Sequence, residues 1–113
     1  MGVIVQKYGG TSVANLDRIQ NVARRAVRTH RQGHDVVVIV SAMAGVTDGL
    51  IGLAKKVNEN PDKRELDALL ATGEQTTAAL LAMMLRSMGH PAQSLMGFQV
   101  EVRTDFCYGN ARI

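Results

Sequence analysis

The chain reads as an α/β domain, a mainly parallel sheet held between helices, and three observations predict this. Two short runs, Val3-Ile4-Val5 and Val36-Val37-Val38-Ile39-Val40, are apolar without alternation, the mark of parallel strands that want burial on both faces. Between them Leu16, Ile19, Val22, Ala23, Ala26 and Val27 recur in steps of three and four, the buried stripe of one helix. The first run ends in Gln6-Lys7-Tyr8-Gly9-Gly10-Thr11-Ser12, a glycine turn between strand and helix. Strand, helix and strand within roughly forty residues predict a right-handed βαβ unit.

The glycine turn has the geometry of a phosphate site. Paired glycines let backbone N–H groups come close to an anion because no Cβ intervenes, and a helix behind them adds the positive end of its dipole. Lys7 supplies a full positive charge beside them. A Walker loop places its lysine after the glycines, and a dinucleotide fingerprint reads G-x-G-x-x-G; neither is present. The bland alternative is a plain βα turn in which glycine supplies a positive φ and Lys7 points to water.

Beyond the first helix, Gln32-Gly33-His34 supplies a glycine stop, and Asp35 leads into the second strand. That strand ends in the small-residue loop Ser41-Ala42-Met43-Ala44-Gly45-Val46-Thr47, which hands over to a helix carrying Leu50, Ile51, Leu53, Ala54 and Val57. Asn58-Glu59-Asn60-Pro61 stops it. In open α/β sheets ligands bind beyond the carboxyl ends of the strands, so this loop is expected beside the Lys7 turn. Ser41 and Thr47 could equally be helix caps or loop hydrogen-bonders.

A helical stretch over Glu65-Leu66-Asp67-Ala68-Leu69-Leu70 is then expected to turn at Ala71-Thr72-Gly73. A second helix should run from Glu74 through Met88, with Glu74 stabilised in its first turn by the helix dipole. Met83, Met84 and Met88 read as core filling. Gly89-His90-Pro91 ends this helix. A third strand is expected over Ala92-Gln93-Ser94-Leu95-Met96, and the alternation of Phe98, Val100 and Val102 with Gln99, Glu101 and Arg103 predicts a half-exposed strand. His34 and His90 read as residues of helix ends.

Composition bounds the function. With 46% apolar and 20% charged residues in 113, the chain is one domain at most and is neither disordered nor a membrane protein by composition. No apolar run approaches a membrane span and no signal peptide opens the chain, so a cytoplasmic protein without a membrane partner is expected. The single cysteine, Cys107, excludes an internal disulfide and has no ligand cluster around it. A net charge of +3 is mild, but Arg18, Arg24, Arg25, Arg28 and Arg31 crowd the first helix. With no Trp, two Tyr and two Phe to stack on bases, a solvated face is preferred to nucleic-acid binding.

Lys7-Tyr8-Gly9-Gly10-Thr11-Ser12 resembles the Lys-Phe/Tyr-Gly-Gly-Thr-Ser signature of aspartate kinases, members of the amino acid kinase fold family. Three further stretches agree with it in the family's order. Ser41-Ala42-Met43-Ala44-Gly45-Val46-Thr47 is similar to a Ser-Ala-x-x-Gly-x-Thr segment, and Thr72-Gly73-Glu74 to a Gly-Glu pair. Gly89-His90-Pro91-Ala92-Gln93-Ser94-Leu95 follows, with Gly97-Phe98-Gln99, Thr104-Asp105 and Ala111-Arg112-Ile113.

The resemblance implies an amino acid kinase-like three-layer αβα sandwich, of which residues 1–113 would be the N-terminal part. It implies ATP, carried as its Mg2+ complex, with Lys7 catalytic and Lys7, Tyr8, Gly9 and Gly10 around the nucleotide phosphates. L-aspartate would be held by Ser41, Thr47 and Glu74, the glutamate taking the ammonium group. No metal ligand is assigned, and a homo-oligomer is expected of a full-length enzyme. The family's later Gly-Arg-Gly-Gly-Ser-Asp segment, the rest of its kinase domain and its regulatory repeats do not occur in this sequence. Phosphoryl transfer rests on positioning and charge neutralisation, so the 113 residues alone are expected to be inactive. Two other readings stay open: a different amino acid kinase, acting on glutamate, N-acetylglutamate or a nucleoside monophosphate, and a basic nucleic-acid-binding module.

Overall fold

A computed structural model describes residues 2–113. Strand β1 (Val3–Tyr8) leads through a single 3-10 turn (Gly10–Val13) into helix α1 (Leu16–Arg31), and β2 (Asp35–Val40), α2 (Val46–Val57) and α3 (Lys63–Ser87) follow. The strands pair in parallel, Val3 opposite Asp35 through Tyr8 opposite Val40, so the expected βαβ unit is present.

Helix α1 forms as its sequence dictates. Asn15 caps it, its Oδ1 accepting the Arg18 N–H at 3.0 Å, and Asp17 lies in the first turn where the dipole favours an anion. Ile19, Val22, Ala23, Ala26 and Val27 are buried, while the five arginines face solvent. Gly33, at φ 96°, supplies the left-handed stop and returns its N–H to the His30 carbonyl. Replacing Asn15 by alanine should cost about 1 kcal/mol of stability. Urea unfolding checks this, and no change would show that Val13 and Ile19 packing alone sets the helix start.

The core sits on one face of the sheet. Val13, Ile19, Val22, Ala23 and Leu81 form it, with Tyr8, Val38 and Val40 from the strands, Met84 and Leu85 from α3 and Met88 at its C-cap packed around. Side chains alternate across a strand, so Val3, Val5, Val37 and Ile39 share the opposite face. They are 63%, 59%, 48% and 49% exposed. Among the described residues the helices therefore cover one face only.

Three sequence expectations are corrected. The turn expected at Ala71-Thr72-Gly73 does not form, and α3 is continuous over 25 residues, started by Asp62, which accepts the Glu65 N–H at 3.0 Å. A glycine costs a helix interior about 1 kcal/mol, too little to break one packed on both sides. The hydroxyls of Thr72, Thr76 and Thr77 bond back to carbonyls three or four residues earlier within the same helix. Joined in this way, α3 is long and apolar enough to cross a membrane by length and composition, contrary to the reading from separate runs. It packs against α1, α2 and β2.

The strands expected over 92–96 and 98–102 are also absent, since the sheet among the described residues has two strands. Burial does alternate from Ala92 to Met96, but the Ala92 carbonyl is taken by Arg86 Nε at 2.7 Å and the Met96 N–H by Gln99 Oε1 at 2.7 Å. Residues 97–101 form turns, with Phe98, Val100 and Val102 exposed. Alternation makes a strand only where a partner edge is within reach.

Candidate functional site

The parallel register places the two strand ends side by side. Because Tyr8 pairs with Val40, Gly9 and Ser41 leave the sheet at the same carboxyl edge, where open α/β sheets take their ligands. The turns there touch. A Cβ built on Gly10 would lie 3.4 Å from the Ala42 carbonyl oxygen, so the first glycine turn lies directly against the Ser41–Thr47 loop.

Neither Gly9 nor Gly10 has a positive φ; Gly9 is extended at φ −77°, ψ 175°. Close approach at Gly10, and open space where a Gly9 Cβ would stand, are what glycine provides here. The long helix begins at Leu16, where its apolar stripe starts, several residues beyond the glycines. Val13, fully buried, is first plugged into the core through the 3-10 turn, in which the Ser12 N–H bonds the Gly9 carbonyl at 3.0 Å. The groups next to the glycines are thus the first N–H groups of a short turn, which have no acceptor within it, and the dipole of α1 begins further on.

Lys7 is exposed, lies on the sheet face of Val3 and Val5, and has no ion-pair partner among the described residues. Tyr8 turns the other way. Its hydroxyl donates to Gln6 Oε1 at 2.9 Å, and Gln6 Nε2 donates to Thr29 Oγ1 at 2.8 Å, which stitches β1 to α1. Its phenol is therefore structural, and only its backbone remains for a ligand at the turn.

Ser41 and Thr47 are both half-buried. Helix α2 begins one residue before Thr47, with Gly45 at φ 77° as its N-cap and no side chain capping it. The capping alternative for the two hydroxyls is thereby removed. Glu74, expected in a first turn, stands about three turns inside α3. Dipole stabilisation fades within the first turn, so helix-end electrostatics no longer account for this carboxylate. It is exposed and lines a cavity of about 360 Å3 with Val38, Ile39 and Val40 from β2 and with Leu95, Met96 and Gly97.

The larger cavity, about 630 Å3, adjoins the Glu74 cavity along β2, sharing Val38, Ile39, Val40, Ala78 and Leu95. It follows β2 between α1, α3 and the extended 92–95 segment, is mostly apolar, and holds none of the candidate side chains. It is a packing seam. Lys7, Ser41 and Thr47 do not line the Glu74 cavity either. The structure joins the three site segments through their backbones, at a residue the sequence did not single out. Ala42, 6% exposed, has Gly10 on one side and Gly73 on the other, where a Cβ on Gly73 would come within 3.0 Å of the Ala42 Cβ and 3.3 Å of Val46 Cγ1. No group of three His, Cys, Asp or Glu side chains that could hold a metal occurs among the described residues.

The model of the amino acid kinase family matches residues 2–111. Over its whole length the chain is 54% identical to aspartokinase 2 of Bacillus subtilis and 52% identical to an aspartokinase of Thermus thermophilus, in each case spanning 28% of the relative. A crystal structure of aspartate kinase from Synechocystis superposes on 84% of this chain with a TM-score of 0.79 and 49% identity, and this chain covers 16% of that one.

Proposed function

Since the chain belongs to the amino acid kinase family, we propose that residues 1–113 form the N-terminal part of a kinase domain that moves the γ-phosphoryl group of ATP onto the side-chain carboxylate of L-aspartate. The product is 4-phospho-L-aspartate, an acyl phosphate that feeds lysine, threonine and methionine synthesis, in the cytoplasm. One observation carries the reading. Gly10 and Gly73 meet on Ala42, which gathers the lysine-glycine turn, the Ser41–Thr47 loop and the helix of Glu74 at the carboxyl edge of the sheet.

Each group has a task that its chemistry suits. Lys7 and the N–H groups of Gly9 and Gly10 offset negative charge on the phosphates, and Mg2+ enters with the nucleotide. Ser41 and Thr47 offer hydroxyls to the amino acid. Glu74, an anion beside a small cavity, pairs with the substrate ammonium. A homo-oligomer, with neither nucleic acid nor a membrane as partner, completes the proposal.

Glu74→Gln in the intact protein tests the substrate assignment. Losing a charged hydrogen bond costs about 1.5–3 kcal/mol, so the KM for aspartate should rise roughly ten- to a hundredfold with the KM for ATP little changed. A raised KM for ATP with aspartate untouched would show the two substrates reversed.

A further inference from the structure

We infer that Gly73 is a positioning residue, whose missing Cβ sets the distance between helix α3 and the Ser41–Thr47 loop and so the placement of Glu74 against Ser41 and Thr47. The inference rests on the aspartate reading for its kinetic consequence but not for its geometry.

Gly73 is buried in the interior of a 25-residue helix, where glycine is otherwise a poor choice. Nothing in its backbone requires it, because its φ is not positive. The reason lies across the helix. A Cβ there would stand 3.0 Å from the Ala42 Cβ, 3.3 Å from Val46 Cγ1 and 3.8 Å from Leu50 Cδ1. Val46 can turn its side chain away, but the Cβ of Ala42 is fixed to the backbone. Ala42 is also backed by Gly10, with 3.4 Å between its carbonyl oxygen and the place of a Gly10 Cβ. The added methyl group must therefore shift the loop or the helix by a few tenths of an ångström. The neighbours in sequence are the candidate side chains themselves: Ser41 precedes Ala42, Thr47 follows Val46 and Glu74 follows Gly73. One turn on, Thr77 is fully buried, its hydroxyl donating to the Gly73 carbonyl at 3.3 Å, which fixes the helix at this point.

Two effects of Gly73→Ala oppose each other, and this makes the inference testable. Helix propensity alone favours alanine, so a glycine without a spacing role would be replaced with unchanged or raised stability. A spacing role predicts a loop shift of a few tenths of an ångström, and since misplacement of a substrate-binding group by about a full ångström costs up to roughly a hundredfold in rate, a severalfold loss follows. The compensating change is Ala42→Gly, which removes the atom that the new methyl group meets.

The experiment compares the intact protein with Gly73→Ala, Ala42→Gly and the double variant, by aspartate kinetics and by amide hydrogen exchange over residues 41–47. Gly73→Ala is expected to raise the KM for aspartate severalfold and to speed exchange in the loop, and the double variant to recover both. Unchanged kinetics and exchange in Gly73→Ala, or no recovery in the double variant, would overturn the inference. If Gly73→Ala fails to fold, folding of the double variant supports the spacing role, and failure of both overturns it. Aspartate-independent behaviour of the parent protein would refute the functional reading, while loop exchange would still decide the role of Gly73.

Discussion

Lys7→Ala in the intact protein is expected to lower kcat by about a hundred- to a thousandfold while the KM for aspartate hardly moves. Removing one charge contact that acts on the developing transition state costs roughly 3–4 kcal/mol, and phosphoryl transfer depends almost wholly on such contacts. Three features of Lys7 motivate this expectation. It stands one residue from the carboxyl end of β1, beside Gly9 and Gly10, and no carboxylate neutralises it among the described residues. It also projects from the sheet face opposite α1 and α3, across from Ile39 of β2. Lys7 does not itself line the cavity of Glu74, which is why the two mutations should separate kinetically. Steady-state rates with each substrate varied in turn check this. Equal changes in kcat and in the KM for aspartate would move Lys7 into the substrate pocket, and no change would return the glycine turn to a plain connection.

How much of this was legible in the residues depends on how local each cause is. Helix α1 was readable because its burial repeats every three or four residues and both stops are chemical: Asn15 accepts an N–H, and Gly33 takes a positive φ. The pairing of β1 with β2 followed from two unbroken apolar runs joined by one helix. Val13, at 0% exposure, left no such signal, since a single valine in a turn belongs to no period. Gly73 misled for a related reason. Read along the chain it marks a break, whereas its cause is Ala42, a residue on another element. Alanine and glycine carry no hydrophobic or electrostatic pattern, so a site assembled through Gly10, Ala42 and Gly73 is visible only once the backbones are placed. The reverse error befell Phe98, Val100 and Val102, whose alternation is real but finds no partner strand among the described residues. Helix α2 shows the same limit: it buries none of its apolar residues fully, and Val57 is 90% exposed.

Expressed alone, the 113 residues are expected to self-associate or to melt without a sharp transition, and to show no aspartate-dependent ATP turnover. The sheet is the reason. Two parallel strands are both edges, and two-stranded sheets are marginal by themselves. Val3, Val5, Val37 and Ile39 add an apolar face that no helix covers among the described residues, and the rings of Phe98 and Phe106 are exposed as well. The Cα radius of gyration, 15.8 Å, exceeds the roughly 13 Å of a compact domain of this length. Since the chain spans 28% of the curated aspartokinases it matches, the positioning and charge that complete a kinase site are sought outside these residues. Light scattering and a coupled kinase assay on one sample decide the matter. Val37→Lys, which sets a charge on the bare face without entering the core, should shift the population toward monomer. A monomeric, cooperatively melting parent would refute the bare-face argument, and measurable turnover would show that these strands and loops make a sufficient active site unaided.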